Sequence, residues 1–148
     1  MTMERTDESI VSYMENIYHS FHKLEDQSLT SKRHQLSINE WHILDRIGQK
    51  TKLRIGELAA AAGVTLASMT VAIDKLEKKG FLYRERAPDD RRGVLIVLTR
   101  RGQAAYIIHR RFHKAMLDVM LDGLTEQEVT LLAEAFAKLE RFISSTIG

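Results

Sequence analysis

The chain has no cysteine and a single proline, Pro88, among its 148 residues. Without cysteine there are no disulfides, no thiolate nucleophile and no sulfur metal ligands, which suits a reducing compartment, and a cytoplasmic location is expected. One proline and eight glycines are too few for a long linker or a low-complexity tract. No apolar run approaches the roughly 18 residues that read as a membrane span, so no membrane partner is expected. Residues 1–8 are polar and acidic, which predicts no signal peptide. A Gly-x-Ser-x-Gly elbow and a glycine-rich phosphate loop are also missing. His19, His22 and the pair His109/His113 are the candidate general bases. With no nucleophile and no paired-carboxylate cleft for them to serve, no enzyme is expected.

The composition is that of a soluble globular chain, 44% hydrophobic and 28% charged, and its length suits one structural domain with its own core. The net charge of +2 conceals a segregation. Residues 1–26 carry six acidic and two basic groups, residues 27–114 eight acidic and eighteen basic, and residues 115–148 six acidic and two basic. A basic middle between acidic ends implies a polyanionic partner at one surface, rather than solvated faces alone.

Periodicity predicts a mainly helical fold of about six helices with a small β-hairpin. Ile10, Met14, Ile17, Phe21 and Leu24 recur at helical spacing over residues 8–27. Ser37-Ile38-Asn39-Glu40 is a capping box that opens a helix through Trp41, Leu44 and Ile47, with Gly48 predicted to close it as a left-handed cap. An alanine-rich helix over Arg54–Ala62, the turn Gly63-Val64 and a Thr65-capped helix over Leu66–Lys79 follow, the last with Met69, Ile73 and Leu76 facing inward. Gly80 stops it. A hairpin spans about 81–98, and Thr99 opens a long helix broken at Asp122-Gly123. Thr125-Glu126-Gln127-Glu128 is a second capping box before the last helix. The expected organisation is an N-terminal dimerisation helix and loop (1–36), a winged helix-turn-helix (37–99) and C-terminal dimerisation helices (100–148). The terminal stripes have few partners within one chain, which points to a homodimer rather than a monomeric bundle.

A capped helix followed by a basic hairpin is the pattern of a winged helix-turn-helix, and double-stranded DNA is the expected partner. The first turn of such a helix reaches base edges in the major groove; here it carries Thr65, Leu66, Ala67, Ser68 and Thr70, with Lys75 further along as a phosphate contact. Asp90, Arg91 and Arg92 form the hairpin tip. An arginine there can enter a narrow minor groove, while Asp90 is expected to hold one arginine by a bidentate pair and so fix the wing. Lys52, Arg54, Arg84 and Arg86 are candidates for flanking phosphates. Lys78 and Lys79 are expected to be solvated.

These residues carry a resemblance. Gly63-Val64-Thr65, Leu76-Glu77-Lys78-Lys79-Gly80-Phe81 and Asp90-Arg91-Arg92 followed by Leu98-Thr99 resemble the MarR family of bacterial winged-helix regulators. The resemblance implies a homodimer on a palindromic operator, acting as a transcriptional repressor and controlled by a small ligand where dimer and DNA-binding parts meet. Ser37–His42, Arg111-Phe112-His113-Lys114-Ala115-Met116 and Asp122-Gly123 further resemble the fatty-acid-synthesis repressor (FabT-like) branch. That branch implies an acyl group, presented on acyl-carrier protein, as effector; the alanine-rich Ala59–Ala62 departs from its pattern.

Two further clusters complete the candidates. Met14, Ile17, Phe21, Trp41, Leu44, Ile108, Phe112 and Met116 either line an apolar ligand cleft or are plain core. His109 and His113 are four apart, and with His42 and an oxygen from Glu25 or Glu40 they suit Zn²⁺, as in a zinc-responsive branch of the same family; alternatively they only hydrogen-bond at a helix junction. No bound cofactor is otherwise expected.

Overall fold

The computed structural model describes residues 3–29, 35–90 and 92–147. Helix α1 (Met3–Leu29) is longer at both ends than its apolar periodicity suggests. Helix α2 (Ile38–Lys50) opens as expected: Glu40 N–H donates to Ser37 Oγ at 3.3 Å, and Ser37 N–H donates to Glu40 Oε2 at 2.8 Å. It does not end at Gly48. Thr51 takes the positive φ (71°) instead. Gly48 is required by packing, because a Cβ there would fall on the Tyr106 ring.

A third strand, β1 (Lys52–Arg54), precedes α3 (Ile55–Ala62). Arg54 is thus the N-cap of α3 rather than its first residue, and its N–H donates to Glu57 Oε2 at 2.7 Å. Gly63, at φ 66°, closes α3 in the left-handed conformation. Helix α4 (Leu66–Lys78) starts where Thr65 Oγ1 accepts Ser68 N–H at 3.1 Å, and it buries Met69, Ile73 and Leu76. Strands β2 (Leu82–Arg86) and β3 (Val94–Leu98) form the hairpin; β3 is central, antiparallel to β1 through Leu53↔Ile96 and to β2 through Arg84↔Ile96.

Helix α5 (Arg100–Leu121) begins at a tight joint with the end of α4. Thr99 N–H donates to Phe81 O (3.1 Å), Thr99 Oγ1 to Gly80 O (2.7 Å) and Arg101 Nη1 to Lys79 O (2.8 Å). The Arg101 guanidinium lies 4.3 Å from the Phe81 ring centroid, and Gly102 packs so closely that a Cβ would collide with Phe81 O. Helix α6 (Glu126–Ile147) opens with the reciprocal Thr125/Glu128 box.

The core is built by α2 (Trp41, Leu44, Ile47), α3 (Leu58), α4 (Ile73, Leu76) and the sheet (Leu82, Ile96), all fully buried. Removing each such side chain from water stabilises the fold by about 1.5–3 kcal/mol. The chain packs as two compact units, residues 1–112 and 113–148. No single helix among the described residues is long and apolar enough to cross a membrane.

Candidate nucleic-acid interface

The first turn of α4 is open to solvent. Thr65, Leu66, Ala67 and Ser68 are all exposed, Leu66 to 58%. An exposed leucine at a helix start is poor use of apolar surface unless something covers it. The hydroxyls are already ordered: Thr65 Oγ1 donates to Ser68 Oγ (2.9 Å), and Thr70 Oγ1 donates back to Leu66 O (2.8 Å). Ser68 therefore keeps its own proton to offer outward, whereas Thr70, half-buried, presents mainly an acceptor. Lys75 is exposed and makes no ion pair among the described residues.

Lys79 is not solvated as its sequence position suggests. Its Nζ reaches Gln35 O at 2.7 Å and both Glu40 oxygens at 2.8 and 2.9 Å. Burial pushes the Glu40 carboxyl up, but Lys79 and Ser37 outweigh it and hold the group below its ordinary value. This pair ties the start of α2 to the end of α4.

At the hairpin, Arg92 and Arg86 are exposed and unpaired among the described residues; Arg91 lies outside the described residues. Among the described residues Asp90 makes no bidentate pair with an arginine. Its Oδ1 accepts Arg92 N–H at 2.9 Å, and its Oδ2 stands 3.6 Å from Arg54 Nη1, a single contact rather than a bidentate pair. Arg54 also approaches Asp89 at 3.7 Å, so among the described residues the arginine that steadies the wing comes from β1. Gly93 makes room for it, since a Cβ there would meet both Arg54 and Ala87. Lys52 pairs with Glu85 across the sheet at 2.7 Å. Arg84 is held by Asp74 (2.6 Å) and Glu77 of α4, which commits its guanidinium to orienting that helix. Asp74 and Glu77 were legible only as acidic residues three apart on a helix with a basic end.

A buried ionic cluster lies behind this surface. Glu25 of α1 is fully buried, and its Oε1 receives His42 Nε2 at 2.9 Å and His109 Nε2 at 3.3 Å. His109 Nδ1 is 3.0 Å from Asp45 Oδ1, and the imidazole stacks on Trp41 with centroids 6.3 Å apart. Burial disfavours the imidazolium, but Asp45 and Glu25 win and raise the His109 pKa above its ordinary value. Burial likewise pushes Glu25 and Asp45 up, and the opposing bonds and charges bring both below their ordinary values: His42 and His109 for Glu25, and His109, Gln49 and Arg110 for Asp45. Asp45 was not foreseen in this cluster. Glu40, the alternative oxygen donor, is occupied by Lys79. His113 belongs to the second unit.

Of the apolar residues expected to line a cleft, Trp41 and Leu44 are wholly buried in the core and Phe112 packs against it. Met14, Ile17 and Ile108 are exposed and Phe21 is half-buried; Met116 is in the second unit.

Comparison with known proteins agrees with this geometry. The MarR family matches residues 36–94. The structure of Streptococcus pneumoniae FabT in complex with DNA is similar at 30% identity over 97% of this chain and 99% of that one, with a TM-score of 0.76. Among Bacillus subtilis (strain 168) proteins, the HTH-type transcriptional regulator MhqR is 27% identical over 72% of this chain and 74% of its own length. The uncharacterised HTH-type transcriptional regulator YcgE is 33% identical over 60% of this chain. The matched stretch spans only 57% of YcgE. These relatives are transcriptional regulators, not enzymes. With a regulator of its own length matched end to end, and the three-stranded wing and capped α4 in place, the chain belongs to the MarR family.

Proposed function

We propose that the protein is a cytoplasmic DNA-binding transcriptional regulator that acts as a homodimer on a palindromic operator. The observation that carries this reading is the exposed, hydroxyl-bearing first turn of α4 beside a wing whose tip presents Arg92, exposed and unpaired among the described residues. Helix α4 enters the major groove through Thr65, Leu66, Ala67 and Ser68, and Arg92 reaches the adjoining minor groove. Lys75 and Arg86 meet phosphates. The DNA-bound FabT structure supports this use of the fold.

Pairing is supported by apolar surface a lone chain leaves in water. Tyr13, Ile17 and Tyr18 on α1, and Leu131, Phe142 and Ile147 on α6, are each more than 60% exposed, and so many large apolar side chains left in water along a helix mark an interface. The likeness to FabT supports repression of fatty-acid-synthesis genes, with an acyl chain on acyl-carrier protein as effector. Replacing Arg92 with alanine tests the reading: duplex affinity should fall by about 1–3 kcal/mol with the circular-dichroism melt unchanged. An unchanged affinity refutes the wing's role.

A second reading is favoured by one observation, the convergence of His42 and His109 on Glu25 Oε1. Two imidazole nitrogens and an ionised carboxylate fit Zn²⁺ by donor chemistry. Glu25 and His109 would be the ion's central ligands and so pin α1 to α5. Calorimetric titration of chelator-treated protein with Zn²⁺ decides it; no binding tighter than about micromolar removes the idea.

A further inference from the structure

The outward face of α4 lacks the residue types that usually read bases. From Thr65 to Ala72 the sequence is Thr-Leu-Ala-Ser-Met-Thr-Val-Ala, with no arginine, lysine, asparagine, glutamine, aspartate or glutamate. Those side chains select bases by hydrogen bonds: arginine or lysine for guanine, asparagine or glutamine for adenine, a carboxylate for cytosine. The three hydroxyls do little to replace them. Thr65 Oγ1 donates to Ser68 Oγ and Thr70 Oγ1 to Leu66 O, so only Ser68 has a proton to offer. What the face presents is aliphatic. Leu66 is 58% and Val71 54% exposed. Ala67, also exposed, stands four positions before Val71 and so neighbours it on the helix surface. A β-branched residue costs helix propensity, and Val71 gains little burial within the chain in return.

The surroundings say what covers this face. Lys75 follows Val71 at the next turn and Lys78 lies beyond it, both exposed and without an ion pair among the described residues. Asp74, the acidic residue of the same stretch, is neutralised by Arg84 at 2.6 Å. An aliphatic strip ending in unspent cations fits a polyanion that carries methyl groups. Of the base edges in the major groove, only thymine presents a methyl group, at C5. We infer that this chain recognises its operator through thymine methyls, on which Leu66, Ala67 and Val71 close, and that Val71 is a specificity-determining residue. The inference rests on the DNA-binding reading and gives its base chemistry: half-sites with A·T pairs where α4 lies, their thymine methyls against the helix. Over these two turns no arginine or lysine is present to select guanine.

The test uses the full chain and two versions of one duplex. Repeated selection from a randomised duplex library at low salt supplies the sequence. The tightest binder is remade with deoxyuridine for every thymidine, which keeps each base-edge hydrogen bond and deletes only the methyl. Covering one methyl is worth about four-fold in affinity. With at least one covered in each half-site, uracil should weaken binding about ten-fold or more. The factor should be the same at low and high salt, because no phosphate contact changes. In Val71→Ala, a change at an exposed site outside the core, the preference for thymine over uracil should shrink about four-fold, as a shared contact requires. Equal affinity for the two duplexes, or a selected site of G·C pairs alone, overturns methyl recognition and leaves DNA binding in place. A uracil penalty kept in full by Val71→Ala overturns the assignment of Val71. A library from which no sequence is enriched or retained refutes the DNA reading and this inference together.

Discussion

Replacing Gly102 with alanine is expected to destabilise the protein far more than a one-carbon change in a helix ordinarily does. The added Cβ collides with Phe81 O, a backbone atom. That carbonyl cannot swing aside freely, because it accepts Thr99 N–H at 3.1 Å. The start of α5 must therefore move and disturb the Thr99 and Arg101 bonds to Phe81, Gly80 and Lys79, each worth about 1 kcal/mol net. The Arg101–Phe81 contact adds about 0.5–1 kcal/mol. Alanine returns up to about 1 kcal/mol of helix propensity, leaving a net loss of about 2–3 kcal/mol. Urea unfolding at one fixed protomer concentration measures it. Gly48→Ala should also destabilise, because its Cβ meets Tyr106 at Cγ, the root of the ring, which rotation of the ring does not move. A Gly102→Ala variant within about 0.5 kcal/mol of wild type, the range of ordinary surface changes, would refute the account of the joint.

Other outcomes follow from the same structure. Thr65→Val removes the α4 cap and should cost about 1 kcal/mol of stability as well as weakening duplex binding; a loss of neither refutes both roles. Arg84→Ala frees Asp74 and Glu77 and should weaken duplex binding through a loosened α4, a loss that added salt does not reproduce because no phosphate contact is removed; if its duplex affinity matches wild type, Arg84 does not orient the helix. Stability of chelator-treated protein should fall on both sides of neutrality. Glu25, Glu40 and Asp45 have lowered pKa values, so their contribution is full above their ordinary values of 4.5, 4.5 and 3.8 and is lost as pH falls through the folded values. His109 has a raised pKa, so its contribution is full below 6.5 and is lost as pH rises through its folded value. A pH-independent melting temperature between about 3 and 9 contradicts these assignments.

Local signals in the sequence translated well into structure. The Ser37/Glu40 and Thr125/Glu128 boxes and the Thr65 cap sit where residue type and spacing put them, because their partners are three residues away. The inward face of α4 followed from its period. Strand β1 did not, since three residues carry no periodicity and its partner β3 lies more than 40 positions on. Gly48 was misread because glycine near a helix end usually means a cap; the reason for it is Tyr106, a contact no local pattern encodes. The interface residues were legible by type, but not their pairing. Arg84, Arg54 and Lys79 read as surface cations, and only the fold shows that carboxylates on distant elements already hold them.

The salt dependence of duplex affinity tests DNA recognition most directly. Lys75, Arg86 and Arg92 are exposed and unpaired among the described residues, giving a dimer about six cations that displace counterions from the duplex, the two Arg92 side chains from the minor groove. Each neutralised phosphate contributes about −0.9 to the slope of log K against log[salt], so a slope near −5 is expected, a loss of about 10³ in affinity between roughly 50 and 200 mM salt. A flat response, or no measurable duplex binding at the lowest salt, would contradict the assignment of this surface to DNA.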